Sequence, residues 1–196
     1  PDLRFDMPLI EFSQYVEKSN FNVFKGTLED GGRVKAIICP NGDKYSRKVI
    51  DELTDYVKEY HHAKGLAWMK NNAGKLEGGI SKFFPEDIQS QIIEDLNLVN
   101  QDIIFMVGDS KKITLDTLGS LRLKLGKKEN LIQDKWEPLW IVDFPLFDWN
   151  EEKERWDSLH HPFTSPNPED IKLLDTSPGE VRSWGYDIVM NGYELG

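Results

Sequence analysis

Ile103-Ile104-Phe105-Met106-Val107 is the stretch on which the fold turns: five apolar residues in succession, bracketed by Gln101-Asp102 and Gly108-Asp109. A run this short, rich in β-branched and aromatic side chains, reads as a fully apolar strand. Upstream, Arg33-Val34-Lys35-Ala36-Ile37-Ile38-Cys39 alternates Val34, Ala36 and Ile38 against Lys35 and Ile37, a second strand signal. Residues 22–25 are read as a further strand, joined to it through Glu29-Asp30-Gly31-Gly32 as a hairpin. Ser46 is a fair N-cap for a helix reaching Tyr60, with Val49, Leu53, Val57 and Tyr60 on one stripe and His61, His62 and Lys64 at its C-terminal end before Gly65. Residues 66–70 read as a strand, followed by a polar loop over 71–79. Pro85 opens a helix with Ile88, Ile92 and Leu96 on one face, and Leu115, Leu118, Leu121 and Leu125 mark another that ends at Gly126. The expectation is an α+β fold: a two-layer module over 18–130, its antiparallel sheet covered by helices on one face.

Beyond the polar linker Gly126-Lys127-Lys128-Glu129-Asn130 the texture changes. Residues 139–144 are strongly apolar, 158–163 and 184–193 alternate, and a short helix near 169–174 joins the last two, so 131–196 read as strands of a second antiparallel sheet. Torn from a larger sheet, these strands would leave unpaired edges and apolar surface.

The chain has 196 residues, 39% of them hydrophobic and six of them Trp, enough apolar surface to close a core. Its net charge of −10 is unevenly placed: residues 1–135 hold 20 basic and 21 acidic side chains, residues 136–196 hold 4 and 13. The chain is therefore no basic nucleic-acid arm, while the acid-rich end suits a divalent cation better than a polyanion. Glu151-Glu152-Lys153-Glu154-Arg155 reads as a solvated surface. No stretch nears the ~18 apolar residues of a membrane span, and Pro1-Asp2-Leu3-Arg4 lacks the features of a signal peptide; a soluble, cytoplasmic protein without a membrane partner is expected. The single cysteine, Cys39, excludes an internal disulfide and reads as a small apolar strand residue. The absence of an initial Met and the ending at Glu194-Leu195-Gly196 lead us to expect a piece of a longer protein.

No Walker A, dinucleotide, CxxC or HExxH pattern occurs. His160-His161, read as strand residues, would point to opposite faces, so at most one serves a site; both run into the turn Pro162-Phe163-Thr164-Ser165-Pro166. Asp187 and Glu194 are seven positions apart, which sets them on opposite faces of an uninterrupted strand. Acting together they need a bend, for which Asn191-Gly192 is suited, and two carboxylates on one surface can hold Mg²⁺. The competing reading is two solvated carboxylates on an edge strand. His61-His62 are explained by the helix end. Trp68, Trp136, Trp140 and Trp149 are read as core or interface anchors.

At Pro138-Leu139-Trp140-Ile141-Val142-Asp143-Phe144-Pro145, His160-His161-Pro162-Phe163-Thr164-Ser165-Pro166 and Asn191-Gly192-Tyr193-Glu194-Leu195-Gly196 the chain resembles the bacterial-type aspartyl-tRNA synthetases, a class II family. Ser46-Arg47-Lys48, Ala63-Lys64-Gly65-Leu66-Ala67-Trp68 and Leu118-Gly119-Ser120-Leu121-Arg122 resemble the GAD domain inserted in their catalytic domain. The resemblance implies residues 1–17 at the edge of the catalytic domain, 18–130 as the GAD insert and 131–196 as a truncated catalytic segment. It implies an aspartate–tRNA ligase that uses ATP and Mg²⁺ to form aspartyl-adenylate from L-aspartate and esterifies it to tRNA-Asp, with tRNA-Asn a further candidate, as a homodimer at full length. By the same resemblance His160 contacts the substrate aspartate with His161 beside it, Glu194 lies at the ATP site, and Asp187 with Glu194 serves Mg²⁺. Class II motifs 1, 2 and 3 are missing, so the fragment alone is expected to be inactive. The rival reading is a GAD-type tRNA- or protein-binding accessory module, as in the amidotransferase B subunit.

Overall fold

The computed structural model describes residues 1–161 and 163–196. They form two compact units, Phe5–Gln133 and a second made of Pro1–Arg4 with Asp134–Gly196.

The first unit is built on a five-stranded antiparallel sheet. In chain order its elements are β1 (Ile10–Glu11), α1 (Ser13–Glu17), α2 (Asn22–Glu29), β2 (Arg33–Cys39), α3 (Arg47–His61), β3 (Ala67–Asn72), β4 (Lys75–Glu77), α4 (Glu86–Asp95), β5 (Ile103–Asp109) and α5 (Lys111–Lys128). The sheet order is β1-β2-β5-β3-β4, so β5 lies at the centre and every one of its residues is buried. Successive side chains of a strand point to opposite faces. Ile103, Phe105 and Val107 therefore join Ile37 and Cys39 under α3 and α5, where Leu53, Val57, Leu118 and Leu121 close the layer. Ile104 and Met106 join Val34, Ala36 and Met69 on the other face, covered by Val16 of α1, Phe24 of α2 and Ile88 and Ile92 of α4.

The α+β class and the antiparallel pairing are as the sequence led us to expect, but the helices cover both faces rather than one. A strand apolar at every position has no polar side to leave in water, and a third layer follows. The strand expected over 22–25 is instead the start of α2. Phe21 and Phe24 stack edge to face with centroids 4.9 Å apart, and Phe24 and Thr27 bury one helical stripe. The expected hairpin at 29–32 is thus a helix-to-strand turn. Ser46 caps α3 as expected, its Oγ accepting the Val49 N–H, but the buried stripe is Ile50, Leu53 and Val57, and Tyr60 is 69% exposed. The helix stops at His62, left-handed at φ 57°, before Gly65 is reached. The loop expected over 71–79 contains β4, a hairpin arm on β3. Residues 10–17 supply β1 and α1 to this same unit.

Cys39 is fully buried in β2, and burial pushes its thiol up to about 11. Its Sγ lies 3.4 Å from Tyr45 Oη, which donates to Glu129 Oε1 at 2.8 Å.

The second unit holds β6 (Pro138–Val142), β7 (Phe147–Asn150), β8 (Arg155–Ser158), β9 (Tyr186–Met190) and β10 (Tyr193–Glu194). β6, β9 and β10 make one antiparallel sheet, and β7 and β8 a separate ribbon. The acidic run 151–154 is the exposed tip of that ribbon, as expected. A 3-10 helix at Pro168–Leu173 stands where a short helix was expected, with Asn167 as its cap. Arg182 ties this helix to the strand system. Its Nε and Nη2 donate to Asp170 at 2.8 and 3.0 Å, Nη2 also to Glu169 at 3.0 Å, and Nη1 to Asp143 at 3.4 Å. These bonds hold the Asp170 carboxyl below the usual carboxylate range and Arg182 above its own ordinary value. Trp136 and Trp140 are 78% and 61% exposed, so neither is an anchor within this unit's core.

At pH 8 the folded chain's Cys39 should react with a disulfide reagent at least about 100-fold more slowly than the denatured chain, since a shift from 9.0 to about 11 removes that much thiolate; equal rates would place the thiol in solvent. The Asp170 contribution is fully present above about pH 4, the ordinary value of an unfolded aspartate, and is lost as pH falls through the depressed folded value. Amide protection factors over residues 166–183, taken relative to the intrinsic rate at each pH, should therefore fall on acidification below pH 4 in the parent chain, and Asp170→Asn should show the lowered protection already at pH 7.

Candidate functional site: a carboxylate hairpin

β9 and β10 are joined by Asn191-Gly192, both left-handed at φ 52° and 87°. Positive φ at both central residues is the requirement of a two-residue type I′ hairpin, and Asn-Gly meets it at least steric cost. Asn191 is held further by its own amide: Oδ1 accepts the Glu137 N–H at 3.1 Å and Nδ2 donates to the Lys135 carbonyl at 3.0 Å. The turn fixes the register Tyr193↔Met190 and Glu194↔Val189. Residues directly opposite share a face, and so do residues two apart on one strand. Glu194, Val189 and Asp187 therefore project from one side of the sheet. Asp187 and Glu194 are diagonal neighbours, a relation that sets backbone positions roughly 7–8 Å apart.

Ile141 of β6 lies opposite Asp187, and Leu139 opposite Val189, so the carboxylates emerge beside an aliphatic floor. Asp187 is half-buried and Glu194 exposed. Two such oxygen donors fit Mg²⁺, which is bound through one or two carboxylates and completes its shell with phosphate oxygens and water. Among the described residues no cluster of three or more His, Cys, Asp or Glu side chains forms a closed protein cage for a metal.

His160 and His161 differ from expectation in their backbone. β8 ends at Ser158, and both residues lie in the bend beyond it, so the alternation of a strand does not govern where their rings point. The His160 ring packs edge-on against Phe144, centroids 5.0 Å apart, with Nε2 buried and without a partner among the described residues. The His161 ring is exposed, lies 4.9 Å from Phe163 and accepts the Phe163 N–H on Nδ1 at 3.3 Å. Pro162, part of the turn singled out in the sequence, lies outside the described residues. Asp187 and Glu194 are brought together by register. No hydrogen bond or ring contact among the described residues joins His160 to either of them. What connects the two parts is backbone: the Ser183 N–H donates to the Phe144 carbonyl at 2.6 Å and Trp184 to Ser165 at 2.8 Å, lacing the histidine turn to the strand that leads into Asp187.

Sequence reading passed over Arg182 and Asp170, which hold this lacing in place. An ion pair across twelve residues leaves no periodic signal. The one available hint was Asn167-Pro168-Glu169-Asp170, a capping pattern that orients Asp170 on a short helix.

Residues 24–118 match the family model of the GAD domain. Over its whole length the chain is 48% identical to the aspartate–tRNA(Asp/Asn) ligase of Anoxybacillus flavithermus and 48% identical to the aspartate–tRNA ligase of Halalkalibacterium halodurans, across 198 aligned positions in each case. It is 45% identical to the aspartate–tRNA(Asp/Asn) ligase of Protochlamydia amoebophila over 197 positions. In each comparison the match covers 33% of the relative, so the chain spans about a third of the length of the curated relatives it matches. With identity near one half along all of that third, and the GAD-domain match within it, the chain is similar along its whole length to one segment of the bacterial aspartate–tRNA ligases.

Proposed function

We propose that this chain carries the GAD domain and part of the catalytic sheet of a class II ligase that joins L-aspartate to tRNA-Asp in the cytoplasm, acting as a homodimer at full length. The observation that carries the catalytic part is the register of the β9–β10 hairpin, which sets Asp187 and Glu194 on one face. In this reading L-aspartate attacks the α-phosphate of ATP, aspartyl-adenylate forms and pyrophosphate leaves, and the 3′-terminal adenosine of the tRNA then displaces AMP. Asp187 and Glu194 would hold Mg²⁺, and the ion would supply neutralisation of charge at the phosphates. Glu194, the second residue of β10, serves the ATP side of the site.

His160 serves the amino acid. Its Nε2 has no partner among the described residues, and an N–H donated from that atom is accepted by either oxygen of a substrate carboxylate but by only one end of a side-chain amide. An asparagine amide turned the wrong way would leave two donors facing each other, at a cost of about 1–3 kcal/mol. His161, exposed and bonded to its own turn, has a neighbour's role in shaping the loop. The accessory-module reading uses only residues 24–118 and gives the hairpin no task.

The groups that clamp ATP and the substrate α-carboxylate lie outside these residues, so the purified chain should give ATP–pyrophosphate exchange at background. Exchange above background would overturn that part of the proposal. In a ligase containing this segment, Asp187→Asn and Glu194→Gln should each lower kcat roughly 10²-fold and raise the Mg²⁺ concentration needed for half-maximal rate. His160→Gln should raise KM for aspartate while leaving KM for ATP in place. Normal Mg²⁺ dependence in both carboxylate variants would remove the hairpin from the site.

A further inference from the structure

The first unit has a cleft of about 390 Å³ on its β3–β4 edge, well away in sequence from the carboxylate hairpin. Trp68, Lys70 and Asn72 project from one face of β3, and Glu77, paired with Lys70, projects from the same face of β4. The indole is one wall of the cleft, and it is held there. Gly78 lies against its six-membered ring, so that a Cβ at that position would stand 2.4 Å from Cη2 and Cζ3, and φ of +75° reserves the position for glycine. Lys70 Nζ stands 5.8 Å from the ring centroid and donates to the Tyr45 carbonyl at 2.7 Å, with two N–H directions left for a ligand. Asn72 Nδ2 donates to Glu77 Oε2 at 3.1 Å, which leaves Oε1 of that carboxylate and the Asn72 carbonyl to accept. Gln101 adds an amide at the rim.

This set of groups selects its ligand by exclusion. An alkyl chain would leave the open N–H directions of Lys70, the second Glu77 oxygen and the Asn72 carbonyl unused; a small cation meets the Lys70 ammonium; a bare anion meets the Glu77 carboxylate. What satisfies all of them is a flat heteroaromatic ring with donors along one edge and a single anionic group at a distance. We propose that the cleft binds one nucleotide, its base against the Trp68 indole, an amino edge of the base on Glu77 and Asn72, and its phosphate toward Lys70. The surroundings agree in sign. The helices on the sheet face of the cleft, α3 and α5, together hold nine basic and five acidic side chains, whereas α1, α2 and α4 on the opposite face hold one basic and six acidic. The volume is that of a single mononucleotide rather than of a duplex groove. The same unit of chemistry comes as a free mononucleotide or as an unpaired residue of an RNA strand.

The test uses the full chain, labelled with ¹⁵N, titrated with AMP, CMP, GMP and UMP in one arm and with a single-stranded RNA octamer of mixed sequence in the other. The six indole N–H signals report which Trp responds. The Trp68 signal should move in at least one arm while those of the other five stay in place. Amino-bearing bases should bind ahead of uracil, and a tighter octamer than monomer identifies a strand as the source, the reverse a free nucleotide. Trp68→Leu should weaken binding by about 5- to 150-fold. Because that indole also touches the core, Lys70→Met gives an independent reading: it should weaken nucleotides and leave nucleosides unaffected. Glu77→Gln should erase the preference over uracil. No movement of the Trp68 signal with either ligand at 10 mM, or affinities unaltered in Lys70→Met and Glu77→Gln, would overturn the proposal. None of these measurements involves Asp187 or Glu194, so their failure and that of the ligase reading are separate events.

Discussion

Seven consecutive buried residues, Ile103–Asp109, make β5 the member of the first unit that nothing else can replace. A strand with no wet face must be paired along both edges and covered on both sides. β2 and β3 supply the edges, with β2 matched residue for residue from Arg33↔Asp109 to Cys39↔Ile103. α3 and α5 cover the face of Ile103, Phe105 and Val107, and α1, α2 and α4 cover that of Ile104 and Met106. At roughly 1.5–3 kcal/mol for each fully buried large aliphatic or aromatic side chain, the two faces contribute comparable driving force, and neither half of the sandwich is an accessory to the other.

How much of this was legible depends on how far each element's signal reaches. β2, β5, α4 and α5 announce themselves through local periodicity, and their positions were readable. α2 was not, because the four residues Asn22-Val23-Phe24-Lys25 are too few to carry a period that separates helix from strand; only the longer spacing Phe21, Phe24, Leu28 reveals a helix, and the decisive contacts, Phe21 with Phe83 and Phe24 with Gly108, come from distant parts of the chain. β4 was hidden for a related reason. Three residues carry no pattern, and Lys75–Glu77 become a strand only because β3 offers an unpaired edge.

The site shows the same division. Asn191-Gly192 is among the few dipeptides that specify a turn outright, so the condition under which Asp187 and Glu194 could cooperate was visible before any coordinates. The histidines were misread as strand residues because alternation in Ser158-Leu159-His160-His161 mimics a ladder that in fact stops at Ser158. Once off the strand, the rings are placed by tertiary contacts alone: His160 by Phe144, His161 by Phe163. Arg182, which organises that neighbourhood through three carboxylates, had no local reason to stand out.

The sheet of the second unit ties these points together, because its two faces differ in chemistry. Asp187 and Glu194 stand on one. On the other, Val142 opposes Tyr186 and Trp140 opposes Ile188, and Trp140 and Tyr186 meet edge to face at 5.4 Å. Side chains alternate with period two, so a slip of β10 by one residue against β9 would carry Glu194 to the aromatic face and leave Asp187 alone. The β10 strand is only two residues long, too short to hold its register by packing. The two left-handed residues at 191 and 192, with the Asn191 side chain bonded to Lys135 and Glu137, are what prevents that slip. A backbone conformation at the turn thereby decides whether two acids meet, and the pairing of the acids rests on the one place in this sheet where side-chain burial contributes least.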